Sequence, residues 1–173
     1  ARTVNDVKVS QDGTIAIISR EGASNRKNGI FILDVTNPYD VKVLSEYTKN
    51  LNGGVHNLFI DNDHAYVLGT GERYYILNIE DPTNPVEVGM FEVGKEGQNI
   101  HDVWIEDGIA YSSNWRDGLY LVDVGNGIAG GSPSNPVPFS NYTYASGANH
   151  AAFPFRSKST GTFYVIACDE IFP

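Results

Sequence analysis

Apolar positions along this chain come in short runs rather than in a helical stripe. Val7-Lys8-Val9, Ile15-Ala16-Ile17-Ile18, Ile30 to Val35, Ala65 to Leu68, Tyr74 to Ile79, Val103-Trp104-Ile105, Leu119 to Val124 and Phe163 to Ala167 are β-branched or aromatic. Such side chains suit a pleated strand. Gly, Asn, Asp and Pro bound each run and supply the turns between them. Nothing recurs at 3.6-residue spacing, and the Gly and Pro density would interrupt a helix. The pattern predicts an all-β chain.

The runs also repeat. Val4-Asn5-Asp6-Val7, Val55-His56-Asn57-Leu58, Ile100-His101-Asp102-Val103 and Asn149-His150-Ala151-Ala152 align, with their second positions separated by 51, 45 and 49 residues. A turn and a second strand follow each tetrad, and in the first three copies come a Gly-containing loop, a third strand and an Asn-Pro or Asp-Pro turn into a fourth strand. Four short strands per ~45 residues is the signature of a propeller blade. The expected fold is a β-propeller segment. Its blades span about 1–50, 51–95 and 96–145, with a partial one at 146–173, in a single domain over 1–173.

Ile32-Leu33-Asp34-Val35-Thr36-Asn37-Pro38 and Ile76-Leu77-Asn78-Ile79-Glu80-Asp81-Pro82-Thr83-Asn84-Pro85-Val86-Glu87-Val88-Gly89 resemble the LVIVD repeat. The third copy departs from it, inserting a Gly-rich loop from Gly125 before Ser134-Asn135-Pro136. The resemblance implies a β-propeller, mostly bacterial or archaeal and often exported, hence an extracytoplasmic location. It implies no settled chemistry, because the family is defined by its repeat. Three and a half blades fall short of the roughly 4–8 that close a propeller. With no initiator Met and no signal-peptide pattern, the chain reads as a segment whose remaining blades lie elsewhere in a longer protein.

Composition narrows the function classes. The 173 residues carry net charge −9 and one Cys, so no disulfide forms within the chain. Residues 51–125 hold 13 acidic side chains against Arg73, Lys95 and Arg116. Nucleic acid needs clustered cations and is not expected as a partner. No apolar run approaches ~18 residues, so no transmembrane segment is expected. Rigid repeats with variable loops favour binding, and a non-catalytic scaffold for a protein or cell-surface partner is the first functional expectation.

Three of the four histidines give the alternative. His56, His101 and His150 share one register position, just before the strand expected nearest the propeller axis. Imidazoles converging there suit Zn or Cu. Glu170 follows the last strand and has the reach to join them. This predicts a divalent-metal site of His56, His101, His150 and Glu170 in a metal-dependent propeller enzyme. The competing reading is a channel lining in which Asn57 and Asp102 bond the adjacent imidazoles. Trp115-Arg116-Asp117-Gly118 reads as a cation–π ligand platform or as a tight turn. Asp61-Asn62-Asp63 lacks EF-hand spacing. Gly69-Thr70-Gly71 and Gly125 to Gly131 open no helix and are not phosphate loops. Cys168 is expected to be buried and unreactive, and Asn141-Tyr142-Thr143 matches a glycosylation sequon.

Overall fold

The computed structural model describes residues 3–23, 25, 27–69, 71–94, 99–144 and 147–171. Thr70, Lys95 and Phe172-Pro173 lie outside the described residues. Among the described residues, fourteen strands form four antiparallel sheets. Sheet 1 is β1 (Val7–Val9), β2 (Ile15–Arg20), β3 (Gly29–Asp34) and β4 (Lys42–Tyr47). Sheet 2 is β5 (Val55–Asp61), β6 (His64–Gly69), β7 (Arg73–Asn78) and β8 (Val86–Glu92). Sheet 3 is β9 (Asp102–Glu106), β10 (Ile109–Ser113), β11 (Leu119–Asp123) and β12 (Val137–Tyr142). Sheet 4 is the pair β13 (Asn149–Arg156) and β14 (Phe163–Asp169). Each sheet is a meander in chain order. No helix long and apolar enough to cross a membrane occurs among the described residues.

Alternation within a strand explains the stacking. Side chains on a strand point to opposite faces in turn. On β6, Ala65 and Val67 join a core with Ile17, Ile30 and Ile32 of sheet 1, while Tyr66 and Leu68 join one with Val103, Ile105 and Val122 of sheet 3. A strand buried on both faces reads as a continuous apolar run, as Ala65 to Leu68 does. The first strands touch in succession, β1 with β5, β5 with β9 and β9 with β13. They form an inner row from which the other strands fan outward. The sheets are arranged as propeller-like blades, and the described residues close no ring.

The repeat motif has a local physical basis. Asp34, Asn78 and Asp123 end the third strand of their sheets, and each Oδ1 accepts the N–H two residues on, at 2.9–3.0 Å. This side-chain turn stops the ladder where the repeat needs a reversal. One or two residues earlier the pairing of third and fourth strands shifts by one residue, between Ile32/Leu33, Ile76/Leu77 and Leu121/Val122. Such bulges bend a strand and sharpen its twist. Gly29 and Gly118 stand at the start of the third strands with φ of 139° and 77°. A Cβ there would overlap the carbonyl oxygens of Tyr47 and Tyr142.

Cys168 departs from expectation, for its thiol is exposed. No further sheet covers β14 among the described residues, and Phe163, Tyr164 and Ile166 are exposed with it.

Ile76 is fully buried in the core between sheets 2 and 3. Ile76→Ala should lower unfolding free energy by about 2–5 kcal/mol, the range for a large core residue cut to Ala. Val43→Ala, on an exposed stretch of β4, should stay within about 0.5 kcal/mol. Urea denaturation measures both, and equal losses would contradict this packing.

Candidate metal centre

The repeated histidines sit where the inner strands are irregular. In the β5–β6 pairing Val55 faces Gly69 and Asn57 faces Leu68, leaving His56 as the extra residue. In the β13–β14 pairing Asn149 faces Asp169 and Ala151 faces Cys168, leaving His150 extra. In sheet 3 the ladder starts at Asp102, while His101 still donates its N–H to the Ser113 carbonyl at 2.7 Å. An unpaired bulge residue re-aims its side chain out of the alternation. The next residue stabilises the distortion: Asp6, Asn57 and Asp102 each accept the following N–H through Oδ1, at 2.6–2.8 Å.

The three imidazoles therefore meet at one end of the inner row. Ring centroids of His56 and His101 are 4.6 Å apart, and those of His101 and His150 are 4.2 Å apart. Glu170, just past β14, brings Oε2 to 3.4 Å from His101 Nε2 and 3.6 Å from His150 Nε2. One ligand atom from each of His101, His150 and Glu170 lies within 4.8 Å of the others. Tyr144 helps hold this segment, its hydroxyl donating to Asp169 Oδ1 at 2.6 Å.

Protonation follows from the partners. His101 Nδ1 lies 3.2 Å from the His150 carbonyl oxygen, which only accepts, so Nδ1 carries the proton. Burial, with the neighbouring imidazoles, holds the His101 pKa below its ordinary value, although Glu170 pulls the other way. The neutral ring thus turns an Nε2 lone pair toward the Glu170 carboxylate.

His56 lies beside this trio but outside it. Its Nδ1 is 2.7 Å from Glu21 Oε1, and Glu21 occupies in sheet 1 the place of Glu170 in sheet 4, just past the second strand. Asn5, the residue at the histidine position of the first repeat, donates to the His56 carbonyl at 2.6 Å. Asn57 and Asp102 bond backbone N–H groups rather than the imidazoles. Asp102 is itself mostly buried, which raises its pKa to about 6 although the Val103 N–H bond pulls it down. The Glu21–His56 pair has no local sequence motif, because it joins consecutive sheets across 35 residues. Its one sequence signal is an acidic residue just past the second strand in both the first and the last repeat, at Glu21 and Glu170.

The turn at Trp115 combines two roles. Its residues close on themselves through Asp117 N–H to the Asn114 carbonyl. Trp115 has φ of 48°, a left-handed conformation that costs a non-glycine residue on the order of 1–3 kcal/mol. The indole lies over the His101 ring, centroids 5.2 Å apart and planes inclined by 22°. The aromatic partner of Trp115 is an imidazole, and no Arg116 cation–π contact occurs among the described residues.

Other candidates are occupied locally. The Gly125–Gly131 loop wraps a protein carboxylate: Asp123 accepts N–H bonds from Gly125, Gly127, Ala129 and Gly131 at 2.7–3.1 Å. A cleft of about 580 Å³ lies at the far end of the inner strands, beside Asp12, Asp63 and Glu80. Asp12 there is satisfied by Ser10 and Thr14. Compared with known proteins, the chain matches no protein-family model and no curated sequence.

Burial works to raise the Asp123 pKa, but its four backbone donors outweigh this and hold the carboxyl far below the usual range. A carboxyl depressed by folding stabilises fully above its unfolded pKa of about 3.9, and that contribution disappears as pH falls through the folded value. Asp123→Asn should therefore lower Tm at pH 7. The gap to wild type should hold down to about pH 4 and narrow below it. A gap that widens in acid would contradict the assignment, and scanning calorimetry across pH reads it.

Proposed function

We propose that this chain is a metal-binding protein of the β-propeller type, holding one divalent transition-metal ion, zinc first, between His101, His150 and Glu170. The spacing of the donors carries the reading. Two ligands each ~2.0–2.2 Å from tetrahedral zinc stand ~3.3–3.6 Å apart. The two Nε2 atoms stand 3.4 and 3.6 Å from Glu170 Oε2, and one donor atom from each of the three residues lies within 4.8 Å of the others. A cation at that point would be shared by the His101 Nε2 lone pair and the Glu170 carboxylate. Two imidazoles and a carboxylate leave a fourth tetrahedral position for solvent or ligand, as in catalytic rather than structural zinc sites. Copper accepts the same imidazoles and is the competing ion.

Stacked four-stranded meanders with their first strands innermost support the propeller part of this reading. With it go the LVIVD resemblance, a longer ring and an extracytoplasmic setting. A second reading, a rigid scaffold for a protein partner, is favoured by the exposed Phe155, Phe163, Tyr164 and Ile166 of sheet 4. A metal at the inner mouth and a partner on that sheet are compatible.

The test is elemental analysis after exposure to excess Zn²⁺ at pH 7.5 and dialysis. We expect about one zinc per chain, as three-ligand sites of this kind hold one ion. His101→Ala and Glu170→Gln should reduce uptake to background, while Asp12→Ala, at the far end, should retain it. Background uptake by the wild type would overturn the reading.

A further inference from the structure

We propose that the chain pairs head to tail with a second copy of itself, sheet 4 of each against sheet 1 of the other, so that two chains close one propeller ring. This rests on the propeller reading above and names a second copy of the chain as the protein partner of sheet 4. Within the chain, each sheet lays its trailing face on the leading face of the next. Side chains alternate along a strand, so the pairing register assigns every residue to one face or the other. Two faces have no covering sheet among the described residues: the leading face of sheet 1 and the trailing face of sheet 4.

Each open face repeats a surface that is covered elsewhere in the same chain. Val7 and Val9 of sheet 1 hold the register places of Leu58 and Ile60 in sheet 2 and of Val103 and Ile105 in sheet 3. Leu58 and Ile60 pack in the core against sheet 1, and Val103 and Ile105 in the core against sheet 2. Val7 and Val9 are 55% and 56% exposed. The trailing side shows the same contrast. Phe153 pairs with Ile166 as Phe59 does with Tyr66 and Trp104 with Tyr111. Tyr66 and Tyr111 are buried under the next sheet, while Phe153 and Ile166 are exposed. Exposed apolar patches of this kind mark interaction surfaces. The chain's own interfaces state the chemistry of what covers them: a trailing face takes a leading face.

Ring closure and one charge select a second copy as the occupant. Two copies of four sheets make eight, within the roughly 4–8 blades that close a propeller. A head-to-tail contact repeated about a two-fold axis closes on itself and covers both open faces of both chains. Once one contact forms, the other is intramolecular, so the two support each other. Sheet 4 has only two strands, yet with them it packs on sheet 3, β13 lying against β9 and β10. Its other face offers sheet 1 the same extent. The charge lies on the inner row. Phe59, Trp104 and Phe153 follow one another there with ring centroids 5.0 and 6.1 Å apart, and Lys8 holds their register place in sheet 1. Closure sets Lys8 of one copy beside Phe153 of the other, a cation–π pair.

The test is sedimentation equilibrium of the full chain after exposure to Zn²⁺, with zinc content measured on the same samples. The wild type should sediment at twice the 18.9 kDa of one chain. Val9→Glu and Ile166→Glu, at exposed positions on the two open faces, should each be monomeric with zinc content unchanged. Cys168 pairs with Ala151 on the trailing face, so a thiol reagent gives a second reading. The wild-type thiol should react at least tenfold more slowly than that of Val9→Glu, whose own sheet 4 is unaltered. A wild-type monomer, a mass that keeps rising with concentration, a dimer that survives Val9→Glu, or equal thiol reactivity would overturn the ring of two chains. A monomer that holds zinc would overturn this proposal alone, and a dimer that holds none would overturn the metal reading alone. The stacking on which the ring rests is tested separately by Ile76→Ala and Val43→Ala.

Discussion

Sheets 2 and 3 each bury two faces, and the rest of the structure depends on that. A four-stranded meander carrying Ala65 and Val67 on one side and Tyr66 and Leu68 on the other cannot leave either side in water. It stacks on a neighbour in front and a neighbour behind. The twist of each sheet then draws successive first strands together, so β1, β5, β9 and β13 run side by side. Repetition in sequence becomes rotation in space, and residues at one register position gather at one place.

The histidine cluster is a product of that rotation together with a local defect. A regular strand would send His56, His101 and His150 into the packed interface between sheets or away from it. The irregular pairing at the start of the inner strands takes them out of the alternation and turns them toward one another. The Asp or Asn that comes next binds the backbone N–H beside the irregularity, which is why Asn57 and Asp102 are engaged there. Glu21 and Glu170 then divide the imidazoles between them: one lies against His56 Nδ1, and the other faces His101 and His150.

Much of this was legible in the sequence. β-branched runs between Gly, Asn, Asp and Pro marked the strands. The equal positions of Ile32-Leu33-Asp34, Ile76-Leu77-Asn78 and Leu121-Val122-Asp123 marked the third strand and its turn. The histidine register placed three rings at one end because a repeat converts equal positions into neighbouring ones. Less legible were contacts between repeats with no shared motif. Glu21 with His56 and the indole of Trp115 on His101 depend on how far one sheet is turned against the next. The four N–H groups around Asp123 depend on a loop path that its glycines permit but do not specify. Exposure of Cys168 depends on whether a sheet covers β14, and an apolar strand sequence is the same either way.

The sequence by itself determined the strands, their grouping in fours, the turn at each Asp or Asn, and the end of the stack at which the histidines appear. These are short-range consequences of side-chain shape, alternation and hydrogen bonding, repeated often enough to be read. Only the tertiary structure decided that His101 and His150 share Glu170, that His56 lies against Glu21, and that Trp115 stacks on His101. Those choices turn on differences of an ångström or two between side chains brought together by sheet packing, and no local pattern encodes such distances.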